Sequence, residues 1–155
     1  MKYLFFLLLL FCNSIFADFS GNVIKVIDGD TVDVLTTQHK TIRVRLFGID
    51  APERGQPYVN KSRQFLASLI AGKNVLIKAQ SQDIYHRTLG VIFYQNKNIN
   101  AKMVANGYAW AYRFKNKATD ESLVVLESIA KKNSLGLWSD SNPIAPWDFR
   151  KNKNN

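Results

Sequence analysis

The chain is expected to fold as an α+β domain, mainly β, in which a five-stranded barrel carries three helices. Three features of its 155 residues lead there. β-branched and apolar-alternating runs recur at short intervals, and a period of two marks strands with one buried face. One run with helical spacing divides these strands into a first group of three and a second group of two. Beyond the second group the period becomes helical.

Residues 23–27, 31–35 and 41–47 form the first group. Asp28-Gly29-Asp30 makes one turn and the polar stretch 36–40 the next, both rich in residues that bend the backbone, so the group reads as a meander. From Pro57 a helical pattern begins: Tyr58, Ser62, Phe65, Leu66, Leu69 and Ile70 recur at spacings of three and four and stop at Gly72. Residues 74–79 and 89–94 supply strands four and five, and 81–88 is the loop between them, where functional side chains would be held by the flanking strands. A short helix over 99–106 ends at Gly107, an aromatic segment follows over 108–114, and 119–132 is a last amphipathic helix. Thr119 is its expected cap, with Asp120 and Glu121 in the first turn. A helix placed between strands three and four of five is the order of an OB-fold barrel, an architecture that binds nucleic acids on one face. Fold alone does not make an enzyme.

The first 17 residues read as an export signal: Lys2, an apolar run over 3–11, then Asn13 and Ser14 before a small residue at Ala17, with cleavage expected after it. The apolar run is far shorter than the roughly 20 residues needed to span a bilayer. Phe11 stands where lipid attachment at Cys12 would need a small residue. The mature chain is therefore expected to be secreted or periplasmic, without stable membrane association, and monomeric. It comprises one domain over 18–140 and a Pro- and Trp-containing basic tail over 141–155. The single cysteine, Cys12, leaves with the signal, so packing must supply the stability that disulfides cannot. The formal charge of +9 suits a polyanionic partner, nucleic acid or anionic membrane, and by itself is also what surface solubility requires.

Three separated stretches carry the chemistry: VIDGDT (26–31), RLFGIDAPE (45–53) and DIYHRTLG (83–90). They combine carboxylates suited to a hard cation, a further carboxylate and two arginines. Asp30 and Asp50 are hard oxygen donors of the kind that bind Ca²⁺. Glu53 follows Pro52 just past Asp50, and Arg45 and Arg87 offer permanently charged forks that match phosphate. Arg43, two residues before Arg45 on the same strand face, is the competitor for that role. Two readings stand for Asp28, bracing metal-bound water or closing its own turn, and two for Thr31, bracing a ligand or serving the strand. His39 and His86 lack partners at ligand spacing, which argues against zinc.

In order and spacing these motifs, with Gly107, the aromatics after it and the closing GLW at 136–138, resemble the staphylococcal nuclease family over Gly21 to Trp138. The resemblance implies a Ca²⁺-dependent, sugar-nonspecific nuclease that cleaves DNA and RNA to 3′-phosphate products. It implies Asp30, Asp50 and the backbone carbonyl of Ala51 as metal ligands, Glu53 as general base or water holder, and Arg45 and Arg87 as clamps on the reacting phosphate. It also implies nucleotide contacts by Tyr85 and Tyr112, for which rim or core packing is the alternative. Stacking without base readout predicts no sequence specificity and a preference for single strands.

Departures from the family pattern are Ala51 for a threonine, Ile84 for a lysine, His86 for a glycine, and a very short loop over 54–57. The last leaves substrate capture to basic residues such as Arg54, Lys61, Arg63 and Lys115. A non-catalytic nucleic-acid-binding barrel is the runner-up, disfavoured because a binder of polyanions has no need of clustered acids. A basic envelope-associated interaction protein also leaves those acids unexplained. Trp138 and Trp147 are expected to anchor the tail, and its last five residues to be disordered.

Overall fold

The computed structural model describes residues 16–153. The expected export signal, apart from Phe16 and Ala17, lies outside the described residues. Among those described, no helix is long and apolar enough to cross a membrane.

Five strands close a barrel: β1 (Phe19–Val26), β2 (Thr31–Thr36), β3 (Thr41–Leu46), β5 (Asn74–Gln82) and β6 (Thr88–Tyr94). They run in the order β3-β2-β1-β5-β6, and a parallel β3–β6 pairing completes the ring. Alternation explains the inward set, because Val23, Val32, Val34, Val44, Leu46, Val75, Ile77 and Ile92 all enter one core with Leu66 and Ile70. Bulges between Val23 and Lys25 and between Ala79 and Ser81 bend the long strands.

Closure is what assembles the functional end. Antiparallel pairing sets Thr31 opposite Arg45, and the parallel pairing sets Val44 opposite Thr88 and Arg45 opposite Leu89. The DGD turn, Arg45 and Arg87 thereby reach the same mouth. Of two two-residue pieces, β7 (Lys97–Asn98) adds to the barrel sheet beside β6, and β4 (Ile49–Asp50) lies outside it. β4 pairs with β8 (Trp110–Ala111), which fixes the backbone of Asp50. A hairpin of β9 (Arg113–Phe114) and β10 (Lys117–Ala118) follows.

Helix α1 (Val59–Ile70) begins two residues after Pro57. It packs Leu66 and Ile70 on the barrel, and Gly72 leaves it at φ +69°. Helix α2 (Ile99–Ala105) is capped by the Asn98 side chain, which accepts from Ala101 N–H. Its buried Asn100 accepts from Ile92 N–H and donates to Phe47 O and Gly90 O, pinning the β3 end to β6. Helix α3 (Glu121–Lys132) is capped by Asp120, not Thr119. The Thr119 hydroxyl donates to Tyr112 O instead, and the Asp120 carboxylate accepts from Ser122 N–H.

The helix count differs from expectation by one. After a 3₁₀ turn at Gly136–Ser139, a fourth helix, α4 (Pro146–Lys153), forms within the tail and extends to Lys153, into the stretch expected to be disordered. Its composition is polar and it is short, so packing stabilises it more than propensity. Pro146 opens it, where the missing N–H matters least. Trp147 then packs edge-on against Trp110, with centroids 5.6 Å apart, while Trp110 meets Trp138 at 4.3 Å. Trp138 and Trp147 thus share a second small core with Trp110, Ala130, Leu137 and Ala145.

Buried Glu127 on α3 joins this region to the barrel, accepting from Arg113 at 2.7 Å, Lys131 at 2.9 Å and Ala111 N–H at 2.9 Å. Burial pushes its carboxyl up, but these three partners outweigh burial and hold it below its ordinary 4.5. A depressed folded value contributes stability above the unfolded value, and that contribution is lost as pH falls below about 4.5. Glu127→Gln removes the counter-charge of Arg113 and Lys131 and leaves the Arg113 guanidinium with Ala111 O as its remaining acceptor. We expect a loss of about 2–4 kcal/mol in urea unfolding at pH 7. The difference between variant and wild type should shrink below pH 4.5.

Candidate active site

Asp30 is placed by its own turn. Asp28 Oδ1 accepts Asp30 N–H at 3.0 Å, so this carboxylate closes the turn, although Asp28 also borders the cleft. Gly29 is required there, since a Cβ would lie 1.9 Å from Ser62 Oγ on α1. Asp30 Oδ1 then accepts from the Thr31 hydroxyl at 3.0 Å and Oδ2 from Ala51 N–H at 2.8 Å. Thr31 therefore braces Asp30, and Ala51 ties the β4 exit to the DGD turn through its N–H.

Arg45 bridges the two aspartates, donating from Nη1 to Asp30 Oδ1 and from Nη2 to Asp50 Oδ1, each at 2.7 Å. Asp30 and Asp50 are almost entirely withdrawn from solvent, at 3% and 0% exposure. Burial pushes the Asp30 carboxyl up to about 7; Asp28 and Asp50 add to the rise, while Arg45 and Ala51 N–H oppose it. Burial also disfavours the Arg45 guanidinium, but the facing carboxylates prevail and raise it. The competing Arg43 is engaged elsewhere, forked onto Asp33 at 2.8 and 3.0 Å. The parity of one strand face did not separate the two arginines; only Arg45 borders the cleft.

Arg87 lies at the end of the β5–β6 loop. Its Nε donates to Asp83 Oδ2 at 2.7 Å and its N–H to Asp83 Oδ1, leaving both terminal nitrogens without a protein partner among the described residues. Burial raises the Asp83 carboxyl, but its bonds from Arg87 and Tyr85 N–H lower it overall. His86 adopts φ +61°, a left-handed conformation that glycine takes freely, so the loop keeps a tight bend with a bulkier side chain. Tyr85 is 71% exposed with its ring 5.4 Å from the Arg87 guanidinium, and Ile84 is more exposed still. Tyr112 borders the cleft and meets Trp147 edge-on at 6.4 Å.

These groups surround an open cleft of about 1120 Å³. Asp28, Asp30, Arg45, Glu53, Tyr85, Arg87 and Tyr112 all border it, whereas Asp50 is covered. Among the described residues no three His, Cys, Asp or Glu side chains converge on one point. The donors that do approach one another, two buried carboxylates beside the Ala51 backbone, are all hard oxygens, which suits a calcium ion completed by water and does not suit zinc.

Sequence reasoning missed two residues here. Arg150 of α4 donates to Asp50 Oδ2 at 2.8 Å, to Asp50 Oδ1 at 3.2 Å and to Glu53 Oε1 at 2.5 Å. Burial lowers its tendency to hold a proton, but Asp50 and Glu53 outweigh this and raise it. Buried Gln56 accepts Glu53 N–H at 2.7 Å and donates to Ile144 O at 3.0 Å, joining the Glu53 loop to the tail. The only available signal was the i, i+3 spacing of Trp147 and Arg150, which sets both on one face of a helix if a helix forms.

Comparison with known proteins agrees with the geometry. Residues 43–140 match the family described as Staphylococcal nuclease homologue. A Micrococcal nuclease of Shigella flexneri is 45% identical over 148 residues, covering 90% of this chain and 84% of its own. Uncharacterized endonucleases of Haemophilus influenzae and Escherichia coli O157:H7 are 43% and 42% identical, over 83% and 88% of this chain and 71% and 88% of theirs. A closed five-stranded barrel whose mouth gathers buried acids and cleft-facing arginines is what these matches lead one to expect, and the chain belongs to the staphylococcal nuclease family and is a nuclease.

Proposed function

We propose that the mature chain is a secreted or periplasmic, calcium-dependent nuclease that hydrolyses DNA and RNA without regard to sugar or sequence, favouring single strands. The observation that carries this reading is the gathering of Asp30, Glu53, Arg45 and Arg87 around one open cleft of about 1120 Å³, with covered Asp50 bonded to Arg45 behind it.

Asp30, Asp50 and the Ala51 carbonyl would hold the cation. When bound, calcium offsets charge on the phosphoryl oxygens and makes water easier to deprotonate. Arg87, whose two terminal nitrogens have no protein partner among the described residues, grips the phosphate. Arg45 borders the cleft while forked onto Asp30 and Asp50, so it holds the ligands in register and presents its charge to the phosphate. Glu53 takes the proton of an attacking water as the water oxygen bonds to phosphorus; the P–O5′ bond breaks and the departing O5′ takes a proton from solvent water, leaving a 3′-phosphate and a 5′-hydroxyl. Tyr85, exposed beside Arg87, and Tyr112 supply rings to adjacent nucleotides. Two carboxylates and several waters predict weak calcium affinity, on the order of 10⁻⁴–10⁻³ M. That range keeps such an enzyme silent in a cytosol and active outside it.

The test is hydrolysis of single-stranded DNA and of RNA by purified residues 18–155, in calcium and in excess chelator, with product ends mapped. Cleavage of both polymers that requires calcium and leaves 3′-phosphates is expected. Tight binding without cleavage would replace this reading with a non-catalytic barrel.

A further inference from the structure

The family match ends at residue 140, yet the active-site acids are held from beyond it. Arg150 lies 100 residues from Asp50 and 97 from Glu53 along the chain, and its guanidinium joins both. Among the described residues it is the only side chain bonded to the Glu53 carboxylate. Without it, that carboxylate, 37% exposed at the rim, would sample several rotamers.

The bridge is not what fastens α4. Trp147 is seated against Trp110 and Tyr112, Ala145 and Pro146 are buried, Gln56 holds Ile144, and Phe149 approaches Gly55. The helix is thus anchored through Trp147 and Phe149 and through the residues that lead into it, and Arg150 extends into the cleft toward the acids. A planar fork can span two carboxylates at once, which an ammonium cannot do with the same geometry.

Resting on the nuclease reading above, we propose that Arg150 is a positioning residue for the reaction: delivered by the C-terminal helix, it fixes the Glu53 carboxylate relative to Asp50. It acts through Glu53, and the tail becomes part of the active site instead of an appendage to it. The same bonds occupy both oxygens of Asp50, so Arg150 also competes with a cation for that carboxylate.

The test compares wild type, Arg150→Gln, Arg150→Lys, Glu53→Gln and the E53Q/R150Q double variant as full mature chains, with folding checked by melting temperature. Misplacing a reacting group by about 1 Å costs about 10²-fold, so R150Q should lose about that much kcat on single-stranded DNA, with KM within about threefold. R150K should recover less than about a tenth of the activity, for lack of the fork. In the E53Q background, R150Q should change kcat by less than about threefold, since contacts that act as a unit are non-additive. Independently of turnover, calorimetric titration of calcium without nucleic acid should show R150Q binding about three- to tenfold more tightly, because a competing charge is gone.

A loss that appears in KM, that multiplies with the loss in E53Q, or that R150K fully repairs would overturn the proposal. So would an unchanged calcium affinity, which would mean that the guanidinium leaves the acids in solution. A wild type that never cuts, or an E53Q that cuts normally, would strike the nuclease reading itself and is told apart by those two samples alone.

Discussion

Glu53→Gln is expected to lower kcat on single-stranded DNA by about 10²–10⁴-fold, the range associated with removing a general base. The substitution keeps shape and most hydrogen-bonding capacity but cannot accept a proton. Glu53 sits at the rim of the cleft with its backbone tied to Gln56 and its carboxylate to Arg150. Its partners therefore hold it at one wall of the cleft, with the carboxylate partly exposed. Because the side chain is only partly buried, melting temperature should change little. The size of the kcat loss separates two roles: a residue that merely holds a water through a hydrogen bond would be replaced well by an amide, with a loss below about tenfold. A loss in KM alone would place Glu53 in substrate binding instead.

Arg45→Met should destabilise the fold by about 3–5 kcal/mol at pH 8, measured by chemical unfolding, because it strips buried Asp30 of its counter-charge and leaves buried Asp50 with Arg150 alone. Asp30 and Asp50 are withdrawn from water, and each accepts a 2.7 Å bond from this one guanidinium. The pH dependence follows from Asp30, whose carboxyl is raised from 3.8 to about 7 chiefly by burial, with Arg45 the main opposing influence. A carboxyl raised in the fold takes up protons there before the unfolded chain does. Lowering pH from about 7 toward about 4 therefore favours the folded state. Without Arg45 the rise is larger and the window extends upward. The variant should thus regain stability as pH falls from 8 to 5, narrowing its gap from wild type. A deficit below about 1 kcal/mol at pH 8 would mean that the acids do not depend on Arg45 for their charge balance.

Much of the barrel was legible because its information is local. Alternation with a period of two marked the five long strands, and helical spacing marked α1, α2 and α3 to within two residues at each end. The motif acids and Arg87 were readable for a related reason. Asp28, Asp30 and Thr31 form one turn, Asp50 through Glu53 one strand exit, and Asp83 and Arg87 one loop, so short spacing already dictates how each set faces. Thr119 was misassigned as a cap because capping depends on which of two adjacent oxygens reaches the free N–H, a matter of backbone angle that composition does not encode.

What the sequence by itself determined is a closed barrel of the staphylococcal nuclease family with acids and arginines in three motifs. The tertiary structure decided which of them work together. Barrel closure through β3 and β6 brought Arg45 and Arg87 to one mouth, and Asp33 drew Arg43 away from it. Packing of Trp147 on Trp110 turned a basic tail into a helix and set Arg150 on Asp50 and Glu53. The physical reason is range: periodicity reports which side of an element is buried, whereas a partner about 100 residues away exists only after the core has placed both elements.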